Sequence, residues 1–344
     1  MAEATVALSG GKDSAAAVLL LRERGYEVRA VHMRLGLAGD EERVEKVRRL
    51  AEALAVPLDI VDVEREFSQR VLAHFLAAYR SGRTPNPCVL CNREIKYGLL
   101  FDRVRENRLG TWFATGHYAC RWQRDGRTFL REHPESGKSQ TYFLSMIHPD
   151  ALERTLFPLA EVTLAAVRRR VKGLPLANVR ESQDACFLEG GTLSEYLRRR
   201  LPEGFVPGAI VDPDGREIGR HDGVLRFTVG QRRGTGVAAG RRLYVIRIDA
   251  AAHTVTMGEE KHLHNVDLQT EKPHFWRPLQ AGEKLKVKIR YAHAGEEAEI
   301  LEASDLHITA RFRQPVRALT PGQFAVFYEG DLVVAAGEIS KEIP

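Results

Sequence analysis

Apolar positions in the first half of the chain follow two periods that alternate. Thr5 to Leu8 is a short apolar run of the kind a buried strand presents, and Asp13 to Arg24 is a helical stretch ended by Gly25. Val28 to Met33 forms the next strand. Over Asp40 to Leu54, the side chains of Val44, Val47, Leu50 and Leu54 share one helical face. Pro57 introduces a strand from Leu58 to Val63. Glu64 to Tyr79 is a further helix, burying Phe67, Val71, Phe75 and Leu76. A proline-rich loop leads to a helix from about Asn92 to Asn107 and a strand from Thr111 to Thr115. This alternation predicts an α/β fold with a doubly wound, Rossmann-like parallel sheet. Ligands of such sheets sit at the carboxyl ends of the strands, so the loops after Leu8, Met33 and Thr115 are expected to converge on one pocket.

Helices are next expected at about Leu164 to Lys172 and Leu193 to Leu201. From Gly204 the texture changes to short alternating segments separated by Gly, Pro and Asp. Leu225 to Val229, Leu243 to Ile248, Thr254 to Met257, Leu285 to Tyr291, Leu306 to Phe312 and Phe324 to Tyr328 read as strands. The expected division is residues 1–203, 204–266 and 267–344, which suits a 344-residue chain of about two to three domains.

Composition removes some function classes. The longest apolar run, Ala15 to Leu21, is closed by Arg22 and falls far short of a membrane span of roughly 20 residues. It is not followed by a small-residue cleavage site, so a cytoplasmic protein with no membrane partner is expected. The net charge of +5 is modest, but arginines gather at 168–170, 198–200, 232–233 and 241–242. Any one cluster is equally well a solvated helix face. Four of them beyond the first 150 residues favour a phosphate backbone as partner. The four cysteines, Cys88, Cys91, Cys120 and Cys186, are too few for a disulfide framework.

The chemistry is carried by loops. In Ser9-Gly10-Gly11-Lys12-Asp13-Ser14, the glycines let backbone N–H groups approach phosphate oxygens. Ser9 and Ser14 add hydroxyls, and the following helix points its positive end at the same place. The spacing is not that of a Walker A loop. Asp13 is a candidate holder of Mg²⁺. In Thr84-Pro85-Asn86-Pro87-Cys88-Val89-Leu90-Cys91-Asn92, two prolines stiffen the entry and the cysteines fall where a helix begins. A thiol there is expected to have a lowered pKa. Cys-x-x-Cys by itself reads as a redox pair, half of a metal site, or two core thiols. Cys120, beside Arg121 on an expected strand, reads as structural.

Together these segments resemble the tRNA-specific 2-thiouridylases (MnmA type), within the PP-loop ATP pyrophosphatases. The resemblance rests on residues 9–14, on 84–98 ending Arg93-Glu94-Ile95-Lys96-Tyr97-Gly98, and on Ala114-Thr115-Gly116-His117-Tyr118. Lys138 to Leu144, the 181–187 segment around Cys186, Phe227 to Gly234 and Thr320 to Gln323 complete it. It implies a PP-loop domain, a small β-rich central domain and a C-terminal β-barrel that binds tRNA. The implied activity replaces the 2-oxygen of a wobble uridine by sulfur, after ATP adenylates that oxygen. Cys186 would carry the sulfur as a persulfide, with Cys91 assisting its release or resolving the persulfide as a disulfide. The expected catalytic residues are thus Cys91, Cys186 and Asp13. By the same resemblance ATP meets Ala7, Leu8, Ser9, Gly10, Gly11, Lys12, Asp13, Ser14, Met33 and Gly116. Asn86, Pro87 and Cys88 face the target base, and His117, Lys138, Ser139, Gln140, Arg290, Tyr291 and Gln323 touch tRNA. The sulfur donor would be a cysteine desulfurase, a persulfide carrier or sulfide.

The chain departs from the family pattern in three places. Cys88 stands where many members carry Asp, so Cys88, Cys91 and Cys186 offer three thiolates that suit a [4Fe–4S] cluster as an alternative to the persulfide. Lys12 replaces a more usual apolar residue, and the loop after Met33 is short. The rival functions are a PP-loop ligase or amidotransferase acting on a small metabolite, a non-catalytic tRNA-binding or sulfur-relay protein, and a zinc-stabilised RNA-binding module. The first has no use for paired cysteines, the second none for an intact phosphate loop. The third lacks paired Cys-x-x-Cys spacing.

Overall fold

The computed structural model describes residues 2–135, 138–176, 185–188, 191–237 and 240–340. They fall into two compact units, one of residues 1–71, 88–187 and 331–333, the other of residues 72–87, 188–330 and 334–344.

The first unit is built on a five-stranded parallel sheet. Its strands are β1 (Glu3–Ala7), β2 (Glu27–Arg34), β3 (Leu58–Asp62), β4 (Trp112–Ala114) and, at one edge, Thr155–Leu156, in the order β3-β2-β1-β4-edge. Val6 pairs with Ala30 of β2 on one side and Ala114 of β4 on the other. Helix α1 (Lys12–Glu23) buries Ala15, Ala16, Ala17, Val18, Leu20 and Leu21 in the same core as Ala4, Val6 and Leu8. Three successive alanines present little bulk, which suits a helix packed flat on a sheet. Helix α2 (Asp40–Ala53) buries Val44, Val47 and Leu50, and Leu54 follows as its cap, the face expected from periodicity. The chain winds outward from β1 through β2 to β3, then returns to place β4 on the other side. The carboxyl ends of β1 and β4 therefore flank the point where strand order reverses, the usual crevice for a ligand. A hairpin, Cys120–Arg124 with Arg127–Arg131, also belongs to this unit, and residues 331–333 join it by pairing Leu332 with Arg131.

Two long helical stretches contain π-helical turns that periodicity does not reveal. Glu64–Phe67 and Ala73–Arg80 are α-helical, with Ser68–Leu72 π-helical between them. The extra residue shifts the apolar phase: Phe67, Val71 and Phe75 are buried as expected, but Leu76 is only half-buried and Ala78 and Tyr79 take its place. The second stretch starts at Pro87, five residues earlier than the sequence predicts. It runs as α-helix over Pro87–Leu90, π-helix over Cys91–Leu100 and α-helix over Phe101–Glu106. Proline is tolerated at a first helical position because its missing N–H has no partner there.

The second unit holds two β sheets. One has four strands, from Gly208–Val211, Glu217–His221, Tyr244–Asp249 and Thr254–Gly258. The other is a closed six-stranded antiparallel barrel of His264–Phe275, Lys284–Lys288, Glu296–Ala303, His307–Arg317, Phe324–Glu329 and Leu332–Ile339. It closes where the first of these strands pairs with the last, Thr270 opposite Ile339. Closure removes the exposed edges an open sheet would leave. Leu225 to Val229, expected as a strand, is instead a 3₁₀ turn at Val224–Arg226 followed by irregular chain. Phe227 and Val224 are buried there without a strand partner, so apolarity alone misled the reading. Among the described residues, no helix is long and apolar enough to cross a membrane.

Candidate functional site

The glycine-rich loop leaves β1 and enters α1 with its hydroxyls turned inward. Ser14 Oγ donates to Gly11 O at 3.0 Å and accepts from the Ser9 N–H at 3.2 Å, while Ser9 Oγ lies 3.1 Å from Ser14 Oγ. Gly10 has φ +86°, a left-handed conformation that an L side chain resists, so the tight turn depends on glycine. Gly11 caps α1 without a side-chain acceptor, leaving first-turn N–H groups directed at the crevice. Buried His32 on β2 contacts Leu8 O through Nδ1 at 2.7 Å, and burial lowers its pKa. As a neutral ring it donates that bond, pinning the end of β1. Met33 is half-buried on β2 beside Val61.

The loop after β4 closes on this one. A Cβ on Gly116 would stand 2.6 Å from Asp13 C and Ser14 N, so only glycine fits. Two residues on, the Tyr118 hydroxyl donates to Asp13 Oδ1 at 2.9 Å. Gln140 holds Tyr118 in turn, its Oε1 accepting from the Tyr118 N–H at 2.9 Å and its own N–H donating to Tyr118 O at 2.8 Å. Ser139 is buried, its Oγ accepting from His133 N–H at 3.3 Å, and the backbone N–H of Lys138 donates to Glu135 O. The converged loops after Leu8 and Thr115 are those the sequence expects. Tyr118 was not singled out by it.

His117, between Gly116 and Tyr118, belongs to a second network. Its Nδ1 lies 2.9 Å from Thr115 Oγ1 and 3.0 Å from Tyr97 Oη, and its Nε2 lies 3.5 Å from Lys96 Nζ. Burial and the Lys96 charge hold the ring neutral, well below the ordinary histidine pKa. Lys96 has three donors and no acceptor, so Nε2 is the unprotonated nitrogen and the proton sits on Nδ1.

The charge of the same Lys96 reaches the thiols. Cys88, Cys91 and Cys186 are unpaired, and each one's ionisation feels the Lys96 charge. Cys88 and Cys91 also feel Cys186, so the three lie within electrostatic reach of one another. Arg43 and Asp40 act on Cys186 as well. These two are joined as an ion pair, and Asp40 Oδ2 accepts from Leu35 N–H and Leu37 N–H to brace the short loop after β2. Cys88 and Cys186 are exposed and Cys91 is half-buried, while desolvation by surrounding protein atoms is the largest influence on each thiol.

That setting reverses one expectation. Desolvation pushes Cys88 up to about 11 and Cys91 to about 12, and raises Cys186 as well. A helix terminus supplies only about 0.3–1 kcal/mol to an anion, and at Cys91 the largest influence is desolvation, which opposes it. Burial wins, and all three thiols are shifted up rather than down. The residues 181–184 that lead to Cys186 lie outside the described residues. Among the described residues, no three His, Cys, Asp or Glu side chains stand together as a metal ligand set. As placed, the three thiols do not fit a [4Fe–4S] cluster. A lone Asp13 fits Mg²⁺, which usually takes one or two carboxylates with phosphates and water. Cys120 donates to Ala160 O at 3.3 Å and serves the hairpin.

The remaining expected residues lie in the second unit. Gln323 donates from Nε2 to Thr84 O at 2.8 Å, and Thr84 N–H donates to Pro321 O, so the barrel turn fixes the chain just before Asn86 and Pro87. Arg290 Nη1 donates to Arg317 O at 3.2 Å, and Tyr291 is exposed. The arginine clusters are partly engaged within the chain. Arg170 pairs with Glu23, Arg241 with Glu259, and Arg198 with Asp222 while lying over Phe205 at 4.2 Å. Arg232, Arg233 and Arg242 are exposed.

The sequence reading gives no role to Lys96, whose side chain meets His117. Its signal was a lysine five residues after Cys91, a spacing that an α-helix turns about 140° away. In a π-helix residue i+5 stands about one turn above residue i. Gly98 permits this winding, since a Cβ there would meet Arg93 O at 2.8 Å.

Three families match the chain in succession: a tRNA methyl transferase HUP domain over residues 2–190, a tRNA methyl transferase PRC-barrel domain over 194–259, and an aminomethyltransferase β-barrel domain over 265–339. Full-length relatives are similar throughout. The tRNA-specific 2-thiouridylase MnmA of Aquifex aeolicus is 36% identical over 98% of this chain and 99% of its own. That of Roseiflexus castenholzii is 38% identical over 99% and 100%, and that of Syntrophotalea carbinolica 39% identical over 97% of each.

Proposed function

The chain belongs to the tRNA-specific 2-thiouridylase family, and from that premise we propose how its residues carry out an ATP-dependent tRNA-uridine 2-sulfurtransferase reaction. The observation that carries the reading is the dipeptide Gly116-His117. Gly116 abuts the phosphate loop at Asp13 and Ser14, while His117 touches Lys96, whose charge reaches the thiols, so nucleotide and sulfur chemistry share one pocket.

In this reading ATP, bound with Mg²⁺, supplies adenylation of the wobble uridine 2-oxygen, which then leaves with AMP. The N–H groups of Ser9 to Ser14 and the start of α1 bind phosphates, joined by Ala7, Leu8, Met33 and Gly116 around the nucleotide. Asp13, oriented by Tyr118, would hold the Mg²⁺ that accompanies ATP. Sulfur arrives on Cys186 as a persulfide handed over from the persulfide of an external desulfurase or carrier, whose own thiol is released. The Cys91 thiolate attacks Cys186 Sγ, forming a Cys91–Cys186 disulfide and releasing hydrosulfide. The hydrosulfide attacks the activated uridine carbon and AMP departs. An external thiol must then reduce the disulfide before the next turnover. Asn86, Pro87 and Cys88 face the base, and His117, Lys138, Ser139, Gln140, Arg290, Tyr291 and Gln323 contact the tRNA. The division into 1–203, 204–266 and 267–344 assigns catalysis to the first part and tRNA binding to the barrel.

Were Cys88, Cys91 and Cys186 to rearrange around a [4Fe–4S] cluster, they would hold it through three thiolates. The arrangement described favours the persulfide route. Methyl transfer, suggested by the domain descriptions, makes no use of three thiols beside a phosphate loop. The reaction is tested by pyrophosphate release: it must require unmodified tRNA and persist in Cys186→Ala, which blocks only the sulfur step. Release without tRNA, or none with it, would overturn the reading.

A further inference from the structure

The chain that leads to Asn86 and Pro87 is gripped by the barrel in two ways, both within the second unit. The first is through its backbone. Thr84 N–H donates to Pro321 O and Thr84 O accepts from Gln323 Nε2, each at 2.8 Å, so both polar groups of one residue are held. Gly322 lies flat against the same stretch. A Cβ there would meet Thr84 C at 3.0 Å and Arg83 Cβ at 3.1 Å.

The second grip is ionic. Glu271 and Glu338 stand directly opposite one another across the seam that closes the barrel. Like charges so placed repel, and Glu338 is buried as well. Such a pair needs a cation from outside its two strands. Arg83 supplies it. Its Nη1 donates to Glu338 Oε1 at 3.1 Å and lies 3.8 Å from Glu271 Oε2, while its Nε donates to Ser81 Oγ at 3.1 Å. The remaining oxygens are occupied too: His74 Nε2 lies 3.5 Å from Glu338 Oε2, and Ser340 Oγ donates to Glu271 Oε1 at 3.0 Å.

Beyond this clasp the chain has little freedom to change direction. Pro85 and Pro87 have φ fixed near about −65°, and Thr84 and Asn86, each preceding a proline, are confined to extended backbone. A direction set at Arg83 and Thr84 is therefore passed on to Asn86 and Pro87. A buried ion pair adds little net stability over apolar packing, so what this one supplies is a fixed address for Arg83.

We propose that Arg83 is a positioning residue for the uridine reaction: clasped by Glu338 and Glu271 at the barrel seam, it sets the direction in which Asn86 and Pro87 meet the target base. This purpose rests on the thiouridylase reading, whereas the clasp does not.

The experiment compares the full-length native protein with the double variant Arg83→Met, Glu338→Gln, which removes the clasp and leaves no buried carboxylate without its arginine. At saturating ATP and unmodified tRNA, kcat for pyrophosphate release should fall about tenfold or more. The Kd for tRNA and the KM for ATP should stay within about twofold, because the tRNA surface and the phosphate loop are untouched. A native kcat, or a loss confined to tRNA affinity, overturns the proposal. Amide hydrogen exchange, measured without tRNA or ATP, should quicken about tenfold at Thr84 and Asn86 in the variant and stay unchanged over Phe324–Glu329. Unchanged exchange at Thr84 overturns the proposal. Should the variant not fold, the native protein decides: its Thr84 amide must exchange about as slowly as that of Gly322, which donates to Ile339 O, and exchange at the rate of an open chain overturns the proposal. If the exchange pattern holds but the native protein releases no pyrophosphate with tRNA, the thiouridylase reading fails and the clasp stands.

Discussion

The Tyr118 hydroxyl donates to Asp13 Oδ1 at 2.9 Å, tying the loop after β4 to the phosphate loop after β1. Asp13 sits in the first turn of α1, where its carboxylate meets the positive helix end and faces the crevice. The tyrosine fixes which way that carboxylate points. Tyr118→Phe removes one hydrogen bond and leaves the ring, so kcat/KM for ATP should fall about twofold to tenfold, the equivalent of about 0.5–1.5 kcal/mol. Steady-state kinetics at saturating tRNA measure this, and the Mg²⁺ concentration for half-maximal rate should rise with it.

Gly116 imposes a harsher constraint. A methyl group there would overlap the Asp13 and Ser14 backbone at 2.6 Å, and neither backbone atom can move without opening the loop. Gly116→Ala should raise the KM for ATP by about tenfold or more, from about 1–3 kcal/mol of overpacking. The sheet lies behind the loop, so the thermal midpoint should fall by only a few degrees. An unchanged KM would show that the two loops are not held together.

Acid stability follows from the buried histidines. His32 and His117 both have pKa values lowered by burial, so the folded protein binds fewer protons than the unfolded chain below about pH 6.5. Stability is therefore fully present above that pH and is lost as pH falls through it. The thermal midpoint should drop between pH 7.5 and pH 5.5, before ordinary carboxylates titrate. His32→Asn should flatten that dependence while lowering stability at pH 7.5.

Cys88 separates the two ways of holding sulfur. Anaerobically purified Cys88→Ala protein should keep most of its thiolation activity and show no change in visible absorbance. Loss of both a visible band and activity would favour a cluster on Cys88, Cys91 and Cys186.

Much of this site is legible in the sequence because its loops carry chemistry in consecutive residues. Ser9 to Ser14 and Gly116 are found where strand–helix alternation places them, and α2 buries the face its periodicity shows. What is not legible depends on winding or on distant partners. The helix beginning at Pro87 was read as beginning at Asn92, since prolines usually punctuate loops, and its π-turns follow no 3.6-residue period. The thiols were expected to ionise easily from their place near a helix start, whereas desolvation in the folded chain raises all three. Lys96 stands inside a recognisable string, yet its contact emerges only when His117 is brought to it. Strands such as Gly208–Val211 and Leu332–Ile339 escaped notice for another reason. The last is buried at every position, so it shows no alternation to read.

The central claim is that one pocket joins ATP-driven activation of a uridine to sulfur delivery through Cys186 and Cys91. Purified protein, unmodified tRNA, ATP–Mg²⁺ and a sulfur source are incubated anaerobically, and the digested nucleosides are weighed by mass spectrometry. The account predicts a uridine with one oxygen replaced by sulfur at C2, formed by the native enzyme and absent with Cys186→Ala, while pyrophosphate release continues in both. Unchanged uridine with the native enzyme, or thiouridine formed equally well by Cys186→Ala, would contradict it.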